Sequence, residues 1–169
     1  MAGALIVTAE IAPRDFAWLD QLRRAHYPAE RNQVPAHLTM FHALPPSAEG
    51  EGRRVLARLA SEAPPPRALI EGLMDLEGGV AFRIVSPALD RIRSELADNF
   101  RGLLSSLDSG GWRPHVTIQN KVAPREARAL IATLQNDFRP RPLAISGLGL
   151  HRYVRGPWEK IGAYPFRGR

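Results

Sequence analysis

Two short segments of this chain repeat each other, and any fold it adopts has to accommodate both. His37-Leu38-Thr39-Met40 and His115-Val116-Thr117-Ile118 share the form His-x-Thr-apolar and lie 78 residues apart. Each falls in a β-rich run, Val34 to Leu44 and Trp112 to Val122. Side chains alternate along a strand, so residues i and i+2 share a face. His37 therefore projects with Thr39, and His115 with Thr117. Leu38, Met40, Val116 and Ile118 point the other way and can pack a core. The chain has 5 histidines, 12 serines plus threonines and 44% hydrophobic residues. A shuffled sequence of that composition holds ~0.16 such tetrapeptides, and two copies arise in roughly one shuffle in a hundred.

The rest of the chain gives the motifs matching surroundings. Ala4 to Ile11 reads as a buried strand. Pro13 opens a helix carrying Phe16, Leu19, Leu22 and Arg23, and Pro28 stops it. The first motif strand follows, then a helix over Ser47 to Ala63. Pro64-Pro65-Pro66 marks the clearest joint in the chain. Beyond it, Arg67 to Met74 and Val80 to Val85 form a hairpin through Gly78-Gly79. A helix from Pro87 places Leu89, Ile92, Leu96, Phe100, Leu103 and Leu104 at helical spacing and ends at Ser109-Gly110-Gly111. The second motif strand, a helix from Pro124, and a hairpin of Leu143 to Tyr153 with Trp158 to Phe166 complete the chain. Strand, helix, strand, helix thus recurs as a weak internal duplication. The expected fold is mixed α/β (α+β), one two-lobed domain over 1–169 with approximate halves 1–66 and 67–169. Its sheets are mostly antiparallel and line a central cleft, with the helices outside.

Composition narrows the chemistry. There is no cysteine, which excludes disulfides, thiolate metal sites and thiol nucleophiles. His-Glu-x-x-His, Gly-x-Ser-x-Gly and Walker-type phosphate loops are all missing, against zinc hydrolysis, an α/β-hydrolase elbow and ATP-driven ligation. The apolar start is interrupted by Glu10 and lacks a basic leader, so it reads as a strand. No run approaches the ~18 apolar residues of a membrane span, and a cytoplasmic protein is expected. The net charge of +6 and pI near 10.7 favour anionic partners. Lys121 and Lys160 are the only lysines, so the basic groups are mainly the planar guanidinium forks that suit phosphate.

Two histidines with paired threonines fit phosphodiester chemistry. A neutral imidazole can take a proton from the attacking hydroxyl or water, and an imidazolium can give one to the leaving oxygen. The threonine hydroxyls can hydrogen-bond the non-bridging oxygens where charge grows. Arg113, His151 and Tyr153 are further candidate substrate contacts. Trp112, Trp158, Tyr164 and Phe166 can either stack on a base or fill a core. His42 falls opposite His37 on a regular strand, which fits a structural or rim position.

At these residues the sequence resembles the two-histidine phosphoesterase superfamily, in particular its bacterial 2′-5′ RNA ligase and cyclic phosphodiesterase type. The resemblance rests on Val34-Pro35-Ala36-His37-Leu38-Thr39-Met40 and Trp112-Arg113-Pro114-His115-Val116-Thr117-Ile118 in the expected order. It implies a bilobal pseudo-symmetric fold, His37 and His115 as acid and base, Thr39 and Thr117 as phosphate binders, and no metal or other cofactor. It implies as partner an RNA or nucleotide with a 2′,3′-cyclic phosphate or a 2′-5′ linkage, handled by a protein expected to be a monomer. The first motif departs from the common pattern at Phe41-His42. A non-catalytic RNA-binding module with the same fold is the alternative reading.

Overall fold

The computed structural model describes residues 3–169. Seven strands run in the order β1 (Leu5–Ile11), β2 (Leu38–Leu44), β3 (Arg67–Asp75), β4 (Val80–Val85), β5 (His115–Gln119), β6 (Arg141–Tyr153) and β7 (Trp158–Pro165). The helices are α1 (Pro13–His26), α2 (Glu49–Glu62), α3 (Pro87–Asn99), a short turn α4 (Ser106–Ser109) and α5 (Pro124–Asp137). Proline opens α1, α3 and α5, where its fixed φ suits the helix and its missing N–H is not needed. The fold is mixed α/β, as expected, and every strand pairing is antiparallel.

The strand order is β2-β1-β6-β3-β4-β5, with β7 also paired to β6. The long strand β6 takes part in two ladders. Its Arg141–Ala144 end pairs with β3, and its later part pairs with β1 on one side and β7 on the other. The sheet holding β1 and β2 thus draws strands from both sides of the Pro64–Pro66 joint. Each motif strand, β2 or β5, is the outer edge of its ladder. Although they end the array in opposite directions, β2 and β5 touch, so the array curls until its two margins meet.

Burial explains the curl. Leu5, Ile6, Val7 and Ala9 of β1 are all buried, as in a strand covered on both faces. Leu38, Met40, Val116 and Ile118 are fully buried as well, as the alternation of the motifs requires. Phe41 of β2 meets Phe100 edge-to-face, with ring centroids 5.8 Å apart, a favoured aromatic geometry. The helix at Pro87 ends earlier than its apolar spacing predicts. It stops at Asn99, and Gly102 follows with φ +85°, a left-handed conformation that glycine takes without steric cost. Leu103 and Leu104 still pack against the core, from a turn instead of a helix.

Candidate active site

His37 immediately precedes β2, and His115 is the first residue of β5. The expectation that both lie inside strands is met for His115, whereas His37 sits one residue outside. A proline in each lead-in, Pro35 and Pro114, biases the residue before it toward extended backbone. The two rings then make the same bond. His37 Nδ1–H donates to Pro35 O at 2.8 Å, and His115 Nδ1–H donates to Arg113 O at 2.7 Å. A carbonyl only accepts, so Nδ1 carries a proton in both rings and Nε2 is left as the nitrogen free for chemistry.

Their surroundings differ. The His37 ring packs on Trp158 of β7, with centroids 4.6 Å apart. Burial pushes its pKa down from 6.5 to about 4; the Pro35 carbonyl opposes this, and positive charge at Arg23, His151 and His115 adds to it. His37 is therefore neutral near pH 7. His151 lines one cavity with His37, and β5, which begins at His115, touches β2.

Because β2 and β5 are edges, their outward backbone groups need partners other than a strand. Side chains from across the cleft supply them. Trp112 Nε1–H donates to Thr39 O at 3.1 Å, and Arg23 Nη1–H donates to Thr117 O at 2.9 Å. Each motif threonine thus has its carbonyl held from the other half of the chain. Arg23 is 4% exposed; its Nε–H donates to Asn32 Oδ1 at 2.8 Å and its guanidinium lies over the Tyr27 ring. Further along β2, the His42 and Ala43 N–H groups donate to the Asp108 carboxylate at 2.8–2.9 Å. The His42 ring completes that grip through Nδ1 at 3.0 Å, a structural part. Burial alone raises the Asp108 pKa, but these bonds outweigh it and hold the carboxyl below its ordinary value. Arg93 donates to Met40 O and Asp108 O and covers the Phe41 ring.

Of the other candidates, His151 is half-buried, shares a 2.9 Å hydrogen bond with the Thr8 hydroxyl, and lines the same cavity as His37. Burial lowers its pKa, opposed by Glu10 and reinforced by Lys160. Tyr153 lies two residues on along β6, outside that cavity. Arg113 is exposed and offers its carbonyl to His115. Thr39 and Thr117 are half-buried. Sequence reasoning missed Arg23, Arg93 and Asp108 as site supports. The available signal for Arg23 was a charge on the apolar stripe of α1, four residues after buried Leu19. Among the described residues, no group of three or more His, Asp or Glu side chains could hold a metal ion. No helix among them is long and apolar enough to cross a membrane.

A curled antiparallel array with helices outside is the architecture of the two-histidine phosphoesterase superfamily. The chain belongs to the 2′-5′ RNA ligase superfamily, whose sequence profile matches residues 11–157. Solved structures repeat the fold over the whole length. TT0787 of Thermus thermophilus is 18% identical, with a TM-score of 0.69 and coverage of 98% of this chain and 99% of that one. E. coli LigT complexed with NADP+ is 14% identical, covers 99% of each chain and has a TM-score of 0.60. LigT complexed with 3′-AMP is 15% identical, covers 98% and 99%, and has a TM-score of 0.58. No curated protein matches the sequence significantly.

Proposed function

We propose that the protein is a phosphodiesterase that opens 2′,3′-cyclic phosphates at RNA ends or on nucleotides, using His37 and His115 and no metal. The observation that carries this reading is the matched pair of Nδ1–H bonds to the carbonyl two residues back. They present two Nε2 atoms, and one ring is already neutral. In the hydrolytic direction, His37 Nε2 takes a proton from water as its oxygen attacks phosphorus. His115, entering as the imidazolium with a second proton on Nε2, gives that proton to O3′ as the P–O3′ bond breaks, leaving a 2′-phosphate. The Thr39 and Thr117 hydroxyls donate to the non-bridging oxygens. With an RNA 5′-hydroxyl in place of water, the same proton transfers in the same direction form a 2′-5′ bond as P–O3′ breaks; run backwards, O3′–H attacks phosphorus, the 5′-oxygen leaves and the histidines exchange roles. A monomer in the cytoplasm, with RNA as partner, accompanies this reading.

The test is turnover of an RNA oligonucleotide ending in a 2′,3′-cyclic phosphate, in excess chelator. Each of His37→Ala and His115→Ala should lose ~10² or more in rate, the usual worth of a positioned acid or base. RNA binding with no opening by the wild type would favour the non-catalytic binding module instead.

A further inference from the structure

Beside His37 lies a cavity of about 300 Å³, at the lower end of the range for small-ligand sites. Its walls are of two kinds. Phe16 and Trp158 are aromatic, and Trp158 also packs on the His151 ring at 5.4 Å between centroids. Glu10 and Lys160 form an ion pair, with Gln33 nearby. Glu10 lies at the half-buried end of β1, where a carboxylate drawn away from water needs polar partners. Glu10 is held inward. It folds over Gly149 of the neighbouring strand, where an added Cβ would come within 2.8 Å of Glu10 Oε1 and 2.6 Å of Thr8 Oγ1. Oε1 is buried and meets the Lys160 ammonium, yet receives no aligned hydrogen bond. Lys160 remains half-exposed, with donors to spare.

We infer that this cavity is a nucleobase subsite selecting guanine, and that it serves the nucleoside carrying the cyclic phosphate; the inference rests on the phosphodiesterase reading above. An ammonium beside a carboxylate complements an edge that places an acceptor beside donors. Guanine offers O6 to Lys160, and then N1–H and the 2-amino group side by side to Glu10 Oε2, the carboxylate oxygen that is not buried against Lys160. Adenine and cytosine offer only an amine next to a ring-nitrogen acceptor. Uracil is poorest, since its single N–H is flanked by two carbonyls that would face the carboxylate. The apolar walls accept any base by its face, so the ion pair makes the choice.

The experiment compares kcat/KM for the four nucleoside 2′,3′-cyclic monophosphates on the wild type, Glu10→Gln and Lys160→Met. Calorimetric binding of guanosine and uridine 2′-monophosphates is measured alongside. Wild type should favour guanosine over uridine by roughly tenfold or more, the scale of one good base-edge pairing. Both variants should narrow that ratio to within about threefold by the same measure. The wild-type ratio needs no variant to fold, and Lys160→Met alters a half-exposed side chain. Equal opening of all four cyclic nucleotides would overturn the subsite and leave the phosphodiesterase reading intact. Guanosine-selective binding without any opening would do the reverse. A guanosine preference that persists in both variants would also overturn it.

Discussion

Trp158→Ala probes what keeps His37 neutral. The indole covers one face of the ring, and burial is the largest cause of the shift from 6.5 to about 4. Opening that face readmits water, so the pKa climbs back; recovering half the gap raises it by about 1 unit, or roughly 1.4 kcal/mol. In the acid limb of kcat/KM, which reports the base of the free enzyme, the wild type should hold its rate down to near pH 4. The variant should begin to fall about one unit higher. Stability gives a second readout with a defined sign. Between pH 6.5 and about 4 the unfolded ring binds a proton that the folded ring refuses. Stability is therefore fully present above 6.5 and is lost as pH falls toward 4, by up to about 3 kcal/mol. That acid loss should shrink in Trp158→Ala. Profiles of kcat/KM and of thermal unfolding from pH 4 to 8 measure both. An acid limb that stays in place, or moves down, would refute burial by Trp158 as the cause.

Three further outcomes are expected. Arg23→Met strands Thr117 O and Asn32 Oδ1, costs ~1–3 kcal/mol in urea unfolding, and moves the His37 acid limb upward by removing a positive neighbour; Arg23→Lys should rescue it only partly, because lysine lacks the fork. Asp108→Asn weakens the grip on the β2 margin by ~1–3 kcal/mol at pH 7. Because the Asp108 pKa is depressed, that contribution is present above the ordinary carboxyl pKa and is lost as pH falls through the folded one, so wild type and variant should converge in strong acid. Phe100→Ala empties a fully buried site and should cost ~3–5 kcal/mol by denaturant titration; a cost well below 1 kcal/mol would contradict the core described above.

Local pattern makes much of this molecule legible in its sequence. Prolines at helix starts, the alternation around both motifs and the Gly78-Gly79 turn all act over a few residues, and each element they announce is present. The end of α3 is harder to read because Leu103 and Leu104 keep the apolar period after the backbone has turned at Gly102. The long-range part is hidden for a different reason. Nothing local says that β6 will join two ladders, or that the carbonyl of Thr39 will be held by Trp112, 73 residues away. The sequence offers Trp112 only as a stacking or core residue, whereas its indole N–H matters most in the fold. Asp108 falls within the helix expected to run from Pro87 to the Ser109-Gly110-Gly111 break, and its role depends on an edge strand that only the assembled sheet creates.

The double membership of β6 has a mechanical consequence. β5 lies three strand spacings from β6 along one ladder, and β2 lies two along the other. At about 4.8 Å per spacing, β6 is the pivot of two arms roughly 14 and 10 Å long. About five degrees of extra twist between Ala144 and Gly147 would swing the longer arm by about 1 Å, a displacement that can cost ~10² in rate when it separates reacting groups. The span between the two histidines is thus geared to the twist of a strand that carries neither of them. The Trp112 and Arg23 bonds act as struts across the open end of that lever.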